Sequence, residues 1–331
     1  MKGLCGRLKD KRIVVVGDAI ADQFLEGSIS RVSREAPVFI LRHESTVTVP
    51  GGAANAAANV AALGGNVSLI GTVGDDHNAE LLRDALQAVG VDVSGIVSIS
   101  SHTTTTKIRV LAGHQHAARQ QVIRIDHESD HPIPQNAYDE LVARLEAAAH
   151  LADAILVSDY GYGVIAPEVF QTAREIADQR GIPLVVDSRR RLAEFKGATS
   201  ATPNQEEVGQ ILGSDFTHEQ CEELRETLGL TALLVTNGNQ GIALFEAGVP
   251  PVLTPAVGPM EPVDVTGAGD AVIATYTMAL ASGASYREAA ELANYAGGIA
   301  VMKKGTATVS ALDLIRALGD QARDAVGQAN S

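Results

Sequence analysis

Asp264-Val265-Thr266-Gly267-Ala268-Gly269-Asp270 runs directly into an unbroken helix-forming stretch, Ala271 to Ala281. Two glycines flank Ala268, and the chain must then turn helical. Several unpaired backbone N–H groups therefore converge at a helix N-terminus, where the helix dipole also favours negative charge. An anion such as a phosphoryl group in transfer fits there. Asp270 lies inside this electropositive pocket. A carboxylate is a poor anion ligand but a good base for the proton of an attacking hydroxyl. The chemistry these residues describe is phosphoryl transfer to an alcohol, with Gly267, Ala268 and Gly269 as the anion hole. A capped turn with a solvent-facing Asp satisfies the same string, because glycine-rich turns before helices are common.

Outward from this stretch, short β-branched runs alternate with helical patterns. Ile13-Val14-Val15-Val16 ends at Gly17-Asp18, Val67-Ser68-Leu69-Ile70 at Gly71, and Ile155-Leu156-Val157 at Ser158-Asp159. Leu184-Val185-Val186 ends at Asp187, and Leu233-Leu234-Val235 at Thr236-Asn237-Gly238. These read as buried parallel strands with polar C-terminal ends. Between them, Leu81, Leu82, Ala85, Leu86 and Val89 share one helix face, and Tyr138, Leu141, Val142 and Leu145 another. Alternating β and α implies an α/β fold with a sheet covered on both sides. Ligands in such folds bind beyond the C-terminal strand ends, where Asp18, Asp159, Asp187 and the Thr236 turn all fall.

Two stretches break the rhythm. Residues 24–48 and 103–126 read as short strands rich in Thr, Ile and Val. Together they make one small sheet outside the main layer, a lid, with Ala36-Pro37 as an extended point and Ala112 to Gln120 as a hairpin tip. A sheet this small leaves edges bare, so two lids paired across a two-fold axis are expected to form a homodimer.

Three further motifs admit two readings each. In Gly51-Gly52-Ala53-Ala54-Asn55 the glycines let a ligand approach the backbone, and Asn55 offers both sides of its amide to sugar hydroxyls; tight helix–sheet packing explains the same string. Asn204 and Glu207 have the spacing of a capping box, or they approach a triphosphate and its magnesium. Thr236 to Gly241 is a simple strand–turn–strand, or it lines a nucleotide's phosphate and ribose. His114, His116, His127 and His131 lack metal-ligand spacing and read as a solvated hairpin. Lys303-Lys304 reads as a solvated pair. One member of Arg189-Arg190-Arg191 points at an anion, or the run is a solvated basic loop.

The chain has 331 residues, a net charge of −14 and two cysteines far apart, Cys5 and Cys221. The acidic balance argues against nucleic acid or an anionic membrane as a partner. Cysteine usage fits a reduced, cytoplasmic setting. No signal-peptide pattern or membrane-length apolar run is evident, and one domain over 1–331 is expected.

In combination, Gly51-Gly52-Ala53-Ala54-Asn55 and Asp264-Val265-Thr266-Gly267-Ala268-Gly269-Asp270 resemble the two signatures of the ribokinase-like (PfkB-type) carbohydrate kinase family, in order and spacing, with similarity from Ile13 to about Leu314. The strings 30–38, Thr106 to Leu111, Ser158-Asp159-Tyr160 and Lys304 to Val309 resemble the D-glycero-D-manno-heptose 7-phosphate kinase branch, including the kinase half of bifunctional heptose enzymes. With no room for a nucleotidyltransferase domain after residue 331, the chain is expected to be the kinase part alone.

The resemblance implies a three-layer αβα fold with a mostly parallel central sheet and a β-sheet lid. It implies an ATP-dependent sugar kinase using Mg²⁺ and K⁺, acting on heptose 7-phosphate, with lid-to-lid dimers. Asp270 would be the base. Asp18, Asp22, Gly51, Gly52 and Asn55 would hold the sugar, with Asp159, Lys107, Arg109 and Arg189 beside it. Asn204, Glu207, Thr236, Gly238, Gly241 and Asn294 would contact the nucleotide and its magnesium, Glu207 through water. Asp264 and the carbonyl of Thr266 would hold a monovalent cation.

The chain departs from the heptose branch at Gln23, where Arg is usual, at Tyr162, where Lys is usual, and at Asp187-Ser188-Arg189, where Asp-Pro-Lys is usual. Arg189 then replaces one cation for the sugar's phosphate, and Lys107, Arg109 and Arg124 remain in the lid. A kinase of an unphosphorylated sugar is the nearest alternative, and a non-catalytic sugar- or nucleotide-binding regulator the alternative of another class.

Overall fold

A computed structural model describes residues 1–113, 119–258 and 261–319. Its strands are β1 (Arg12–Gly17), β2 (Ala19–Val32), β3 (Phe39–Gly52), β4 (Asn66–Gly74), β5 (Ile96–Ile99), β6 (Thr106–Gly113) and β7 (Gln120–His127). They continue with β8 (Ala154–Asp159), β9 (Leu184–Ser188), β10 (Ser200–Ala201), β11 (Ala232–Thr236), β12 (Ile242–Glu246) and β13 (Val249–Thr254). Among the described residues, nine strands form one sheet in the order β13-β12-β11-β10-β9-β8-β1-β4-β5. Neighbours are parallel from β5 to β11, and β12 and β13 join antiparallel.

Each expected core run is a strand here, and alternation along β1 shows why both faces are covered. Ile13 and Val15 point into one core with the helices Ala53–Ala62, His77–Ala88, Ala268–Ala281 and Tyr286–Ala300. Val14 and Val16 point into the other, with Gln135–Ala149, Pro167–Arg180 and His218–Thr227. This is the three-layer αβα arrangement. Two details differ from the sequence reading. Strand β4 passes through Gly71 to Gly74; a Cβ on Gly71 would lie 2.7 Å from the Gly17 carbonyl oxygen, so this glycine serves close approach rather than termination. Val89 lies just past its helix and is exposed, while Leu82 and Leu86 carry the buried face.

The second sheet, β3-β2-β6-β7, is the lid. Its strands are longer than the composition suggested. Strands β2 and β3 pair antiparallel from Ala19–Gly52 to Val32–Phe39, and Ala36-Pro37 sits in the bend between them. Strand β6 begins at Thr106, after the Thr103-Thr104-Thr105 segment. Ala112, Gly113 and Gln120, expected in the hairpin tip, belong to strands; the tip's centre, with His114 and His116, lies outside the described residues. Asp18 alone separates core strand β1 from lid strand β2. No helix among the described residues is long and apolar enough to cross a membrane.

Candidate active site

Helix Ala268–Ala281 starts at Gly267, whose φ of 77° is left-handed. A side chain there would be doubly unfit, since its Cβ would come within 2.7 Å of the Asn55 amide nitrogen. The Ala268 N–H closes on the Val265 carbonyl at 3.3 Å. The N–H groups of Gly267, Gly269 and Asp270 are spent on no other group among the described residues. A Cβ on Gly269 would meet nothing within 4 Å, so its backbone is open to a ligand.

Asp270 is buried at 3% exposure in the first turn of this helix. Its Oδ2 accepts from Asn55 Nδ2 at 2.7 Å, and its Oδ1 accepts from the Tyr160 hydroxyl at 2.8 Å. Burial pushes its pKa up to about 6, against the two hydrogen bonds and Arg189, and with the nearby Asp22 charge. A carboxylate with that value is ionised at neutral pH yet basic enough to take a proton.

Four residues expected to hold sugar, Asn55, Asp18, Asp159 and Gly52, also make close contacts within the protein. Asn55 is fully buried; its amide donates to Asp270 and its Oδ1 accepts from Asn59 at 3.3 Å. It therefore fixes the Asp270 carboxylate. Asp18 accepts three backbone N–H groups, from Tyr160 at 2.7 Å, Tyr162 at 3.2 Å and Val164 at 3.2 Å. Burial raises its pKa to about 6, opposed by those bonds. Asp159 accepts from Arg191 at 2.7 Å and from the Ser188 hydroxyl at 2.7 Å. Both carboxylates are occupied in shaping the segment 159–164. Gly52 likewise serves packing: its φ is 56° and a Cβ would lie 2.8 Å from the Asp18 carbonyl oxygen.

Asp22 and Gly51 lie against each other. The Asp22 carboxylate pairs with Arg109 at 2.5 Å and lies over Gly51, where a Cβ would be 2.5 Å from Oδ2. Along β2 and β6, Asp22, Phe24, Glu26, Lys107, Arg109 and Leu111 share the inner lid face by the period-2 rule. Most of them line a cleft of about 950 Å³ together with Asp264, Thr266, Lys304 and Arg119. Arg119 is already paired with Glu26 and Glu44. Lys107 is mostly buried and donates to the Tyr162 hydroxyl at 2.7 Å; desolvation lowers its pKa. Gln23 points the other way, bonding Asn78 at 2.9 Å and Thr48 at 3.2 Å.

Arg189 is outside this cleft; its guanidinium stacks 4.4 Å from the centre of the Tyr160 ring. Lys303, expected to be solvated, bonds the Thr308 carbonyl at 2.7 Å and Asp313 at 3.0 Å, while Lys304 is exposed. His127 and His131 are exposed, and no group of three metal-ligating side chains occurs among the described residues.

A second cleft, of about 190 Å³, opens on the other face of the 262–269 loop. It gathers Thr236, Gly238, Gly241 and Asn294 with Ala268 and Gly269, four expected nucleotide residues from distant parts of the chain. Asn294 reaches the Pro255 carbonyl at 2.7 Å. Asn204 and Glu207 form the full capping box, each side chain bonding the other's backbone N–H. Glu207 sits beside Asp187, which the sequence reading did not single out as a ligand. Burial and the carboxylates of Glu207 and Asp270 push Asp187 far above its ordinary range. Two carboxylates in that position fit a divalent cation, which would relieve their repulsion. The Asp264 carboxylate accepts from Thr266 and Gly305 N–H groups, each at 2.9 Å. Despite burial, these bonds hold its pKa low, leaving an ionised oxygen pair suited to a monovalent cation. Tyr160, like Asp187, was not named as a site residue from the sequence; only its place in the Ser158-Asp159-Tyr160 string could have marked it.

The sequence pattern of pfkB family carbohydrate kinases matches residues 10–313. The chain is 40% identical over 314 residues to a bifunctional protein HldE of Geobacter sulfurreducens, covering 93% of this chain and 63% of that protein. It spans 63–66% of the length of the first curated relatives it matches. Among solved structures it is similar to an Arabidopsis thaliana ribokinase complexed with ribose and ATP, at 22% identity and a TM-score of 0.69, covering 94% of this chain and 99% of that one. It is also similar to phosphofructokinase-2 of Escherichia coli in complex with potassium, at 18% identity and a TM-score of 0.73, covering 95% and 99%. These two likenesses show the fold.

Proposed function

The chain belongs to the pfkB family of carbohydrate kinases, and from that premise we propose that it transfers the γ-phosphoryl group of ATP to a hydroxyl of D-glycero-D-manno-heptose 7-phosphate, with residues 1–331 acting as one kinase domain. The observation that carries the reading is the buried Asp270 carboxylate, with a pKa of about 6, beside free N–H groups at a helix N-terminus between two clefts. The nucleotide occupies the smaller cleft and the sugar the larger.

Asp270 takes the acceptor's proton as its oxygen attacks, and the N–H groups of Gly267, Gly269 and Asp270 receive the charge that spreads over the transferring group. Asp22, steadied by Arg109, orients the sugar. Mg²⁺ near Asp187 and Glu207 would neutralise phosphate oxygens, and K⁺ near Asp264 and Thr266 would order the anion-hole loop. Equal rates in sodium, potassium and tetramethylammonium salts would refute the potassium part. The acceptor's own phosphate has Lys304 in the cleft wall, not ion-paired among the described residues.

One observation favours the unphosphorylated-sugar reading: Arg119 and Lys107 already have partners in Glu26, Glu44 and Tyr162. ADP release from ATP with a panel of sugars and sugar phosphates decides. Fastest turnover with heptose 7-phosphate supports the first reading, and preference for a free sugar replaces it.

The lid also supports a homodimer. Strand β7 is exposed along its whole length, and Val32, Phe39, Val122, Ile123 and Ile125 expose 44–60% of their surface on this sheet. Apolar groups this exposed on an edge call for a partner. Light scattering at micromolar concentration tests it, and a fully active monomer would end the idea.

A further inference from the structure

We propose that Tyr160 positions the catalytic base, holding the Asp270 carboxylate in its rotamer and setting the pH at which it can accept a proton. This rests on the base reading above. The geometry carries it. The phenol hydroxyl donates to Asp270 Oδ1 at 2.8 Å, opposite the Asn55 bond to Oδ2 at 2.7 Å. Each carboxylate oxygen keeps a lone pair for the acceptor's hydroxyl, so the two donors orient the base without blocking it.

Tyr160 is itself held from four sides. Asp18 Oδ2 accepts its backbone N–H at 2.7 Å. Asp159, the residue before it, is locked by Arg191 and Ser188, both at 2.7 Å. The Asp159 carbonyl accepts the Arg189 N–H at 3.1 Å, and the Arg189 guanidinium covers the ring at 4.4 Å. Two buried carboxylates and two arginines are thus committed to a segment that meets Asp270 through this phenol. So much fixing is more than packing a tyrosine requires.

The chemistry agrees. Burial, with the Asp270 and Asp187 charges, pushes the Tyr160 pKa far up, so the phenol remains a donor throughout the working range. The groups facing Asp270 are Asn55 on helix Ala53–Ala62, Tyr160, Asp22 on β2, Asp187 on β9 and Arg189 after it. Asp22 raises its proton affinity, and the two donors and Arg189 lower it. A hydrogen bond to a charged group is strong enough to move a pKa by about one to two units.

The test uses Tyr160→Phe, which keeps the ring and removes only the hydroxyl. Aspartate carboxyl carbons are labelled with ¹³C, and the Asp270 signal is identified by its loss in Asp270→Asn. In wild type the signal should titrate near pH 6. In Tyr160→Phe the midpoint should rise by about one to two pH units. Site-specific replacement of Tyr160 by 3-fluorotyrosine, a stronger donor, should lower it. Unchanged melting temperature would confirm that the fold is retained. An unmoved midpoint in both variants overturns the proposal, whatever the acceptor is. Turnover of Asp270→Asn, measured separately, judges the base itself: near wild-type rates there would sink the base reading while leaving the titration result to stand alone.

Discussion

The two clefts on either side of the 262–269 loop are built on different principles. The smaller is lined by glycines, small apolar residues, Thr236, Asn239 and Asn294, and none of its lining residues is ionisable. The larger has Glu26, Glu44, Asp264, Arg109, Arg119 and Lys304 in its wall. The first offers a ligand backbone and amides; the second offers it charged side chains. A nucleotide common to many kinases suits the former, and an acceptor that differs between them suits the latter. Specificity should therefore lie on the lid side, and the nucleotide side should tolerate no bulk but few demands of charge.

The strongest test of that division lies at the seam. Asp270→Asn should lower turnover by about 10²–10⁴-fold, the usual worth of a general base, while both clefts keep their affinities. Steady-state kinetics with calorimetric binding checks this; a large loss of binding on either side would mean that the seam belongs to one cleft.

Next in size is Arg109→Met. It leaves Asp22 buried without its guanidinium and should raise the acceptor KM about 10–100-fold, with the ATP KM nearly constant. Equal loss on both sides would erase the distinction between the clefts.

pH sharpens the comparison. The Asp270 pKa lies above its ordinary value, at about 6, and only the ionised form acts as a base. Activity should be level above that value and fall about tenfold per unit below it. Because a general base acts in the chemical step, the limb should persist in kcat at saturating ATP and acceptor.

The smallest effect is expected for Asn294→Ala. It removes one neutral hydrogen bond, to the Pro255 carbonyl at 2.7 Å, and should raise the ATP KM by about fivefold. The acceptor KM should not move.

The fold was legible because its signals are local and repeated. β-branched runs with polar ends mark β1, β8, β9 and β11, and helical periodicity marks the covering layers. The anion hole and Asp270 were legible because glycine at positive φ before a helix is a backbone requirement visible in the string itself. What stayed hidden was how the carboxylates and the Asn55 amide are partnered. Asp18, Asp159 and Asn55 look like ligands in one dimension, since all fall at strand ends or beside glycines. Their partners, Tyr160, Arg191 and Asp270, are over 30 residues away or more in the chain, and no spacing rule reports which oxygen meets which nitrogen. Tyr160 was missed for the same reason: a tyrosine in a loop carries no pattern until its hydroxyl is seen against the base.

The single-residue joint between β1 and β2 makes the lid a lever with no slack. Asp18 is that joint, its N–H fastened to the Ser158 carbonyl at 3.1 Å and its own carbonyl to the Ala53 N–H at 3.0 Å. Its side chain grips the segment that carries Tyr160. On the proposed reading, a sugar pulling on Asp22, four residues along, would exert torque about a pivot geared to the phenol that holds Asp270. Sensing the acceptor and aligning the base become one mechanical variable, so amide hydrogen exchange in 160–164 should slow when acceptor binds, even with no nucleotide present.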